Sequence, residues 1–246
     1  MTLFLVGVFA AAVLAGATAA VAGFGIGSLL TPLLALRYGM GAAVAGVAVT
    51  HAIATAFRAW RLRSSVDWQV LRSFGLVSAA GGLAGALLYA RLGGIALTVI
   101  LGLLLVATAV AGVTGWTERW RPRGAGAQLL GVLSGFFGGV AGNQGGLRSA
   151  ALLSFGLAPA AYVATATMTG LLVDAARLPV YLWLAGDALR GMTGVVTVAT
   201  IGALVGTLLG ERLMLGISPA RFRLLVSLLI GLLGISLLAR AWWSQV

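Results

Sequence analysis

Apolar residues run unbroken over about 40–58, 70–90, 94–115, 160–186, 191–210 and 222–239. None of these runs alternates with period two, and each is about long enough to cross a hydrocarbon layer as one α-helix. The polar gaps at 61–68, 116–125 and 213–219 are short, which leaves no room for a soluble domain. Trp60, Trp68, Trp116, Trp120, Trp183, Trp242 and Trp243 fall at or near the ends of the runs, where indole rings prefer the headgroup layer.

Two further stretches, about 2–36 and 126–157, behave differently. As one straight rod the first would be about 52 Å long, well beyond a hydrocarbon core of about 30 Å. Each holds a glycine-rich interruption: Gly23-Phe24-Gly25-Ile26-Gly27-Ser28, followed by Pro32, and Gly138-Gly139-Val140-Ala141-Gly142-Asn143-Gln144-Gly145-Gly146. Each is therefore expected to form a bent pair of short helices or a re-entrant hairpin. Residues 2–20 end near Ala17-Thr18-Ala19 and mimic a cleavable signal. No basic residue precedes the run, so it reads as a retained first segment.

The pattern repeats. Val21-Ala22-Gly23 matches Val140-Ala141-Gly142, residues 39–50 lie over 156–167, and Asp67 lies over Asp187. Gly81-x-Leu83-x-Gly85-x-Leu87-Leu88-x-x-Arg91-Leu92 returns as Gly202-x-Leu204-x-Gly206-x-Leu208-Leu209-x-x-Arg212-Leu213. Each half is thus one interrupted segment plus three full spans: repeat 1 over 1–115, a linker over 116–125 and repeat 2 over 126–246. The expected fold is an all-α integral membrane protein of 8–10 helical segments. Such duplication marks secondary transporters. The GxxxG pairs Gly81/Gly85 and Gly202/Gly206 allow close helix packing.

Composition agrees. Hydrophobic residues make up 61% of the 246, charged ones 9%, and the mean hydropathy is +1.08, against about 45–50% apolar and 25% charged in soluble domains. All 16 basic residues are Arg, and the formal charge is +11. Because the arginines sit mostly between apolar runs, they read as lipid anchors and orientation signals, not as a nucleic-acid surface. Inverted repeats would put Arg58, Arg61, Arg63, Arg72, Arg119, Arg121, Arg123, Arg212, Arg221 and Arg223 on the cytoplasmic side. Parallel repeats divide the arginines almost as unevenly, so the inverted arrangement is preferred because it brings the two breaks face to face. With no Cys and one His, thiolate chemistry, iron–sulfur clusters and a multi-His metal site are excluded. No cofactor is expected.

The glycine-rich breaks, with Asp67-Trp68 before the following span and the two-repeat layout, resemble the TauE/SafE family of sulfite and organosulfonate exporters. The resembling segments are Ala22 through Leu34 and Gly135 through Gly146. Asn143-Gln144 stands where that family more often has Gly, and no Pro follows. The resemblance implies a multi-pass protein of the bacterial inner membrane that moves sulfur-containing or related small anions.

Several residues could carry that chemistry. Helix N-termini at the breaks present free N–H groups to an oxyanion, and glycine admits it to the backbone. The candidate substrate site is Gly25, Gly27, Ser28, Thr31, Asn143, Gln144, Gly145, Gly146 and Arg148. Arg148 lies in an apolar context and its fork matches a sulfonate or carboxylate. The competing reading is that the glycines only pack helices and Arg148 snorkels. Asp174 and Arg177, at i and i+3, can pair. With His51 they form a candidate proton-coupling set, set against a purely structural ion pair. Pro179 follows and can kink that helix. Asp67 and Asp187 read as helix N-caps.

These features favour a secondary transporter working by alternating access, with ion or proton coupling left open and a channel-like permease for another small anion or carboxylate as the variant. No GxxxxGK[ST] motif is present. A Ser28–His51 hydrolase lacks the nucleophile-elbow pattern and an evident orienting acid. A scaffold without a path would not need two matched breaks. Expected partners are the anion and membrane lipid; a homodimer is one oligomeric state the sequence allows.

Overall fold

The computed structural model describes residues 2–23, 25–116, 122–143, 145–213 and 219–243. Phe24, Trp120, Arg119, Arg121 and Gln144 lie outside the described residues. All regular structure described is helical: α1 (Thr2–Ala22), α2 (Ile26–Tyr38), α3 (Met40–Leu62), α4 (Trp68–Tyr89), α5 (Gly94–Thr114), α6 (Ala125–Ala141), α7 (Gly145–Leu153), α8 (Pro159–Gly191), α9 (Thr193–Leu213) and α10 (Pro219–Trp243). Among the described residues, seven helices are long and apolar enough to cross a membrane, while α2 and α6 are shorter apolar helices. Large apolar side chains such as Leu103, Leu225, Leu232 and Ile235 are exposed, as a surface bathed in acyl chains requires. Trp60, Trp68, Trp116, Trp183, Trp242 and Trp243 are exposed as well.

Both glycine-rich interruptions are helix breaks. α1 ends on Gly23 and α6 on Gly142, with φ of 76° and 75°. Each glycine N–H returns to a carbonyl four residues back, Gly23 to Ala19 at 3.1 Å and Gly142 to Gly138 at 3.0 Å. Only glycine adopts this left-handed stop without strain. The matched Val-Ala-Gly triplets thus end their helices in the same way. The first break, however, follows a helix of full spanning length, so α1–α2 is one long and one short helix.

Helix pairing follows the same correspondence. α1 packs along α9, and α4 along α6; α5 packs on α10, and α3 on α8. Glycine seams make the first two contacts close. A Cβ on Gly81 or Gly85 would stand 2.2 or 2.0 Å from the carbonyl oxygens of Val132 and Phe136; one on Gly206 would stand 2.0 Å from that of Val13. The facing glycines fit as tightly: Gly135 against Ser78 O, Gly139 against Gly82 O, and Gly16 against Ala203 O. The repeated GxxxG pairs are therefore seams that press α4 and α9 onto the two interrupted segments.

Three expectations change. Arg58 is buried at 6% exposure beneath α8 and is not a cytoplasmic anchor. Asp187 does not cap a helix: it lies inside the last turns of α8, exposed, and pairs with Arg190. The break in α8 falls at Ala185 (φ −118°, ψ 17°), six residues past Pro179, which stays inside the helix. Asp67 does cap α4, its Oδ1 accepting from Val70 N at 2.9 Å. A π-helical turn, Leu71–Gly75, follows within α4.

The seams predict a symmetric cost. Gly85→Ala and Gly206→Ala should each lose about 1–3 kcal/mol through overpacking. Gly94→Ala and Gly194→Ala, where the added methyl meets nothing within 4 Å, should lose none. Thermal unfolding of the purified protein in detergent reads the difference.

Candidate functional site

The two breaks meet. Gly27, in the first turn of α2, lies against the end of α6, so that a Cβ there would be 2.2 Å from Gly142 O. Reciprocally, Arg148 in the first turns of α7 reaches the end of α1, its Nη2 donating to Gly23 O at 2.9 Å. Ser28 Oγ lies 3.5 Å from Asn143 Oδ1. Gly142 is also flanked by Thr31 Oγ1 and Arg177 Nη1. The structure therefore gathers Gly25, Gly27, Ser28, Thr31, Asn143 and Arg148 at one junction, with Gly145 and Gly146 opening α7. Gln144 lies outside the described residues.

A polar stripe on α8 runs into this junction. Thr167, Gly170, Asp174, Arg177 and Tyr181 follow at spacings of three and four, hence on one helix face. Facing them on α3 is a second stripe, His51, Thr55 and Arg58. His51 Nδ1 lies 2.6 Å from Asp174 Oδ2. A carboxylate only accepts, so Nδ1 carries the proton in this bond. Arg177 donates from Nε and Nη2 to Asp174 Oδ1 at 3.0 and 2.8 Å, and from Nη1 to the Gly138 carbonyl. The Tyr181 hydroxyl donates to the Gly139 carbonyl, and its ring packs edge-on against Tyr89. Arg177 and Tyr181 thus tie α8 to the last turns of α6.

Charge in this region does not balance. Arg58, Arg148 and Arg177 are all buried, as is Asp174. Asp174 is taken by Arg177 and His51. Arg58 donates Nη2 to Thr167 Oγ1 at 3.0 Å, and Arg148 meets a backbone carbonyl. Among the described residues neither has a carboxylate. Arg58 Nε and Nη1, Arg148 Nε and Nη1, Asn143 Nδ2 and Thr31 Oγ1 are buried with no hydrogen-bond partner there. An unmade bond at a buried donor costs about 1–3 kcal/mol, more when the group is charged. Donors in excess, under net positive charge, form an environment suited to an anion rich in acceptors.

Sequence reasoning missed Arg58, Thr55, Thr167, Gly170 and Tyr181. The usable signal was the helical spacing of His51, Thr55 and Arg58, which places Arg58 on the face of the buried histidine. The Ser28–His51 hydrolase reading meets a different geometry: Ser28 is at Asn143 and His51 is oriented by Asp174.

The Asp174–Arg177 pair should behave as a buried ion pair. Asp174→Leu alone is expected to cost about 3–5 kcal/mol, because it strands Arg177. Adding Arg177→Met should recover part of that loss. Unfolding of the single and double variants in bicelles checks both.

A family model described as sulfite exporter TauE/SafE matches residues 8–237. No curated protein and no solved structure matches the chain. The family is one of transporters, not enzymes, in keeping with seven apolar helices of spanning length among the described residues. With both helix breaks and the arginines between them inside the matched region, the chain belongs to the TauE/SafE sulfite exporter family.

Proposed function

We propose that this protein exports small sulfur-containing anions, such as sulfite, thiosulfate or an organosulfonate, across the bacterial inner membrane. The binding site in this reading is the junction of the two breaks, with Gly25, Gly27, Ser28, Thr31, Asn143, Gly145, Gly146 and Arg148 around the anion. The observation that carries the reading is the set of buried donors lacking acceptors at Arg148, Asn143 and Thr31. Helix N-termini of α2 and α7 add partial positive charge, and glycine leaves the backbone open to close approach. Arg148 supplies a planar fork suited to two oxygens of one sulfur centre.

In this reading the halves 1–115 and 126–246, joined by 116–125, are inverted repeats that rock about the junction to give alternating access. The pairing of α1 with α9 and α4 with α6 supports it, since each contact between halves has its mate. His51, Asp174 and Arg177 serve as the coupling set. A proton on the His51–Asp174 pair weakens the hold of Asp174 on Arg177, freeing a guanidinium for the passing anion.

Anion binding at about 100 times the dissociation constant should stabilise the protein by about 2.7 kcal/mol. Sulfite, thiosulfate or a sulfonate is expected to raise the melting temperature of wild type, and Arg148→Gln to abolish the rise. Stabilisation by acetate alone would favour a carboxylate permease, and no response to any anion would remove the anion reading. In proteoliposomes, His51→Gln should keep downhill exchange of the anion while losing its acceleration by a pH gradient. An unchanged gradient response would take His51 out of the coupling set.

A further inference from the structure

Arg58 and Arg148 come from opposite halves of the chain and converge on one short stretch of α8. Arg58 Nη2 is anchored on Thr167 Oγ1 at 3.0 Å. Arg148 Nη1 lies against Gly170, where an added Cβ would come within 2.8 Å of it. Thr167 and Gly170 are three residues apart on one helix face, a rise of about 4.5 Å. The two guanidinium groups therefore meet α8 about one turn apart on the same face. Among the described residues each keeps Nε and Nη1 unpaired, and both side chains are more than nine-tenths buried.

The charge count sets what can sit there. Asp174 already serves Arg177. Arg58 and Arg148 are left with two buried positive charges and no ion pair to a carboxylate among the described residues. A monoanion between them leaves one buried charge unneutralised, whereas a dianion neutralises both and offers acceptors to unpaired donors of each arginine. Buried charge is tolerated only when paired and hydrogen-bonded.

We propose that Arg58 is a second substrate-binding arginine, and that Arg58 and Arg148 together select an oxyanion carrying two negative charges over a monoanion of similar size. Gly170 is the position on α8 that leaves room for the Arg148 guanidinium. The proposal rests on the anion-site reading above and adds the charge of the substrate. It separates thiosulfate and the doubly ionised form of sulfite from singly charged sulfonates.

The test is a set of thermal-shift titrations on the purified full chain at constant ionic strength, with thiosulfate and sulfate as dianions and methanesulfonate and nitrate as monoanions. Wild type should reach half-maximal stabilisation with dianions at a concentration at least tenfold lower. Arg58→Met should bring the two classes within about twofold of each other. It should also raise the ligand-free melting temperature, since it removes an uncompensated buried charge. Arg58→Lys, which keeps the charge but loses the fork, should retain part of the preference. Equal response of wild type to both classes, or a dianion preference that survives Arg58→Met, overturns the proposal and leaves the anion site standing. Failure of Arg58→Met to fold also overturns it, by making Arg58 a structural group. No stabilisation by any anion would sink both readings.

Discussion

Lipid offers no hydrogen bonds, so a helix that breaks within an apolar layer must find partners for its freed backbone groups inside the protein. This chain breaks two helices, at Gly23 and Gly142, and brings the broken ends together. The carbonyl that ends α1 is met by Arg148 from α7. The carbonyl that ends α6 lies against the first turn of α2. The last turns of α6 also receive Arg177 and Tyr181 from α8. The first break is completed by the other half of the chain, and the second is held both by its own half, through Arg177 and Tyr181, and by the close approach of α2.

That arrangement requires the broken segments to be fixed in register, and the glycine seams provide it. Gly81 and Gly85 on α4 sit on carbonyls of α6, and Gly206 on α9 sits on a carbonyl of α1. Contacts this close tolerate little sliding, because any side chain would collide with backbone. Packing thereby transmits position from the outer helices α4 and α9 to the ends where the polar groups meet.

The two halves match in their glycine stops and in the α1–α9 and α4–α6 contacts, but their polar side chains do not match. Alignment of the Val-Ala-Gly triplets puts Leu29 where the second half has Arg148, and residues 39–50 over 156–167 put Met168 where the first half has His51. Arg148, Asp174 and Arg177 therefore come from the second half, and His51 and Arg58 from the first. A matched frame with unmatched side chains gives one polar site at the interface of the halves instead of two copies.

Much of this was legible in the sequence. Run length fixes the helices, since crossing a hydrocarbon layer demands about 20 apolar residues, and α3, α4, α5, α9 and α10 appear where the runs placed them. Glycine clusters announced the breaks, since few residues other than glycine adopt the left-handed stop. The identity of Arg148, His51, Asp174 and Arg177 as the costly charges followed from their apolar surroundings. What the sequence could not supply was which charges face one another. Arg58 looked like an anchor because it stands close to Arg61 and Arg63 along the chain, and Asp187 looked like a cap because it precedes an apolar run. Only helix packing turns Arg58 under α8 onto Thr167 and leaves Asp187 on an exposed turn beside Arg190. Segment type depends on local hydrophobicity, whereas His51, Arg58 and Arg148 find their partners more than a hundred positions away along the chain, and these contacts exist only once the helices have packed.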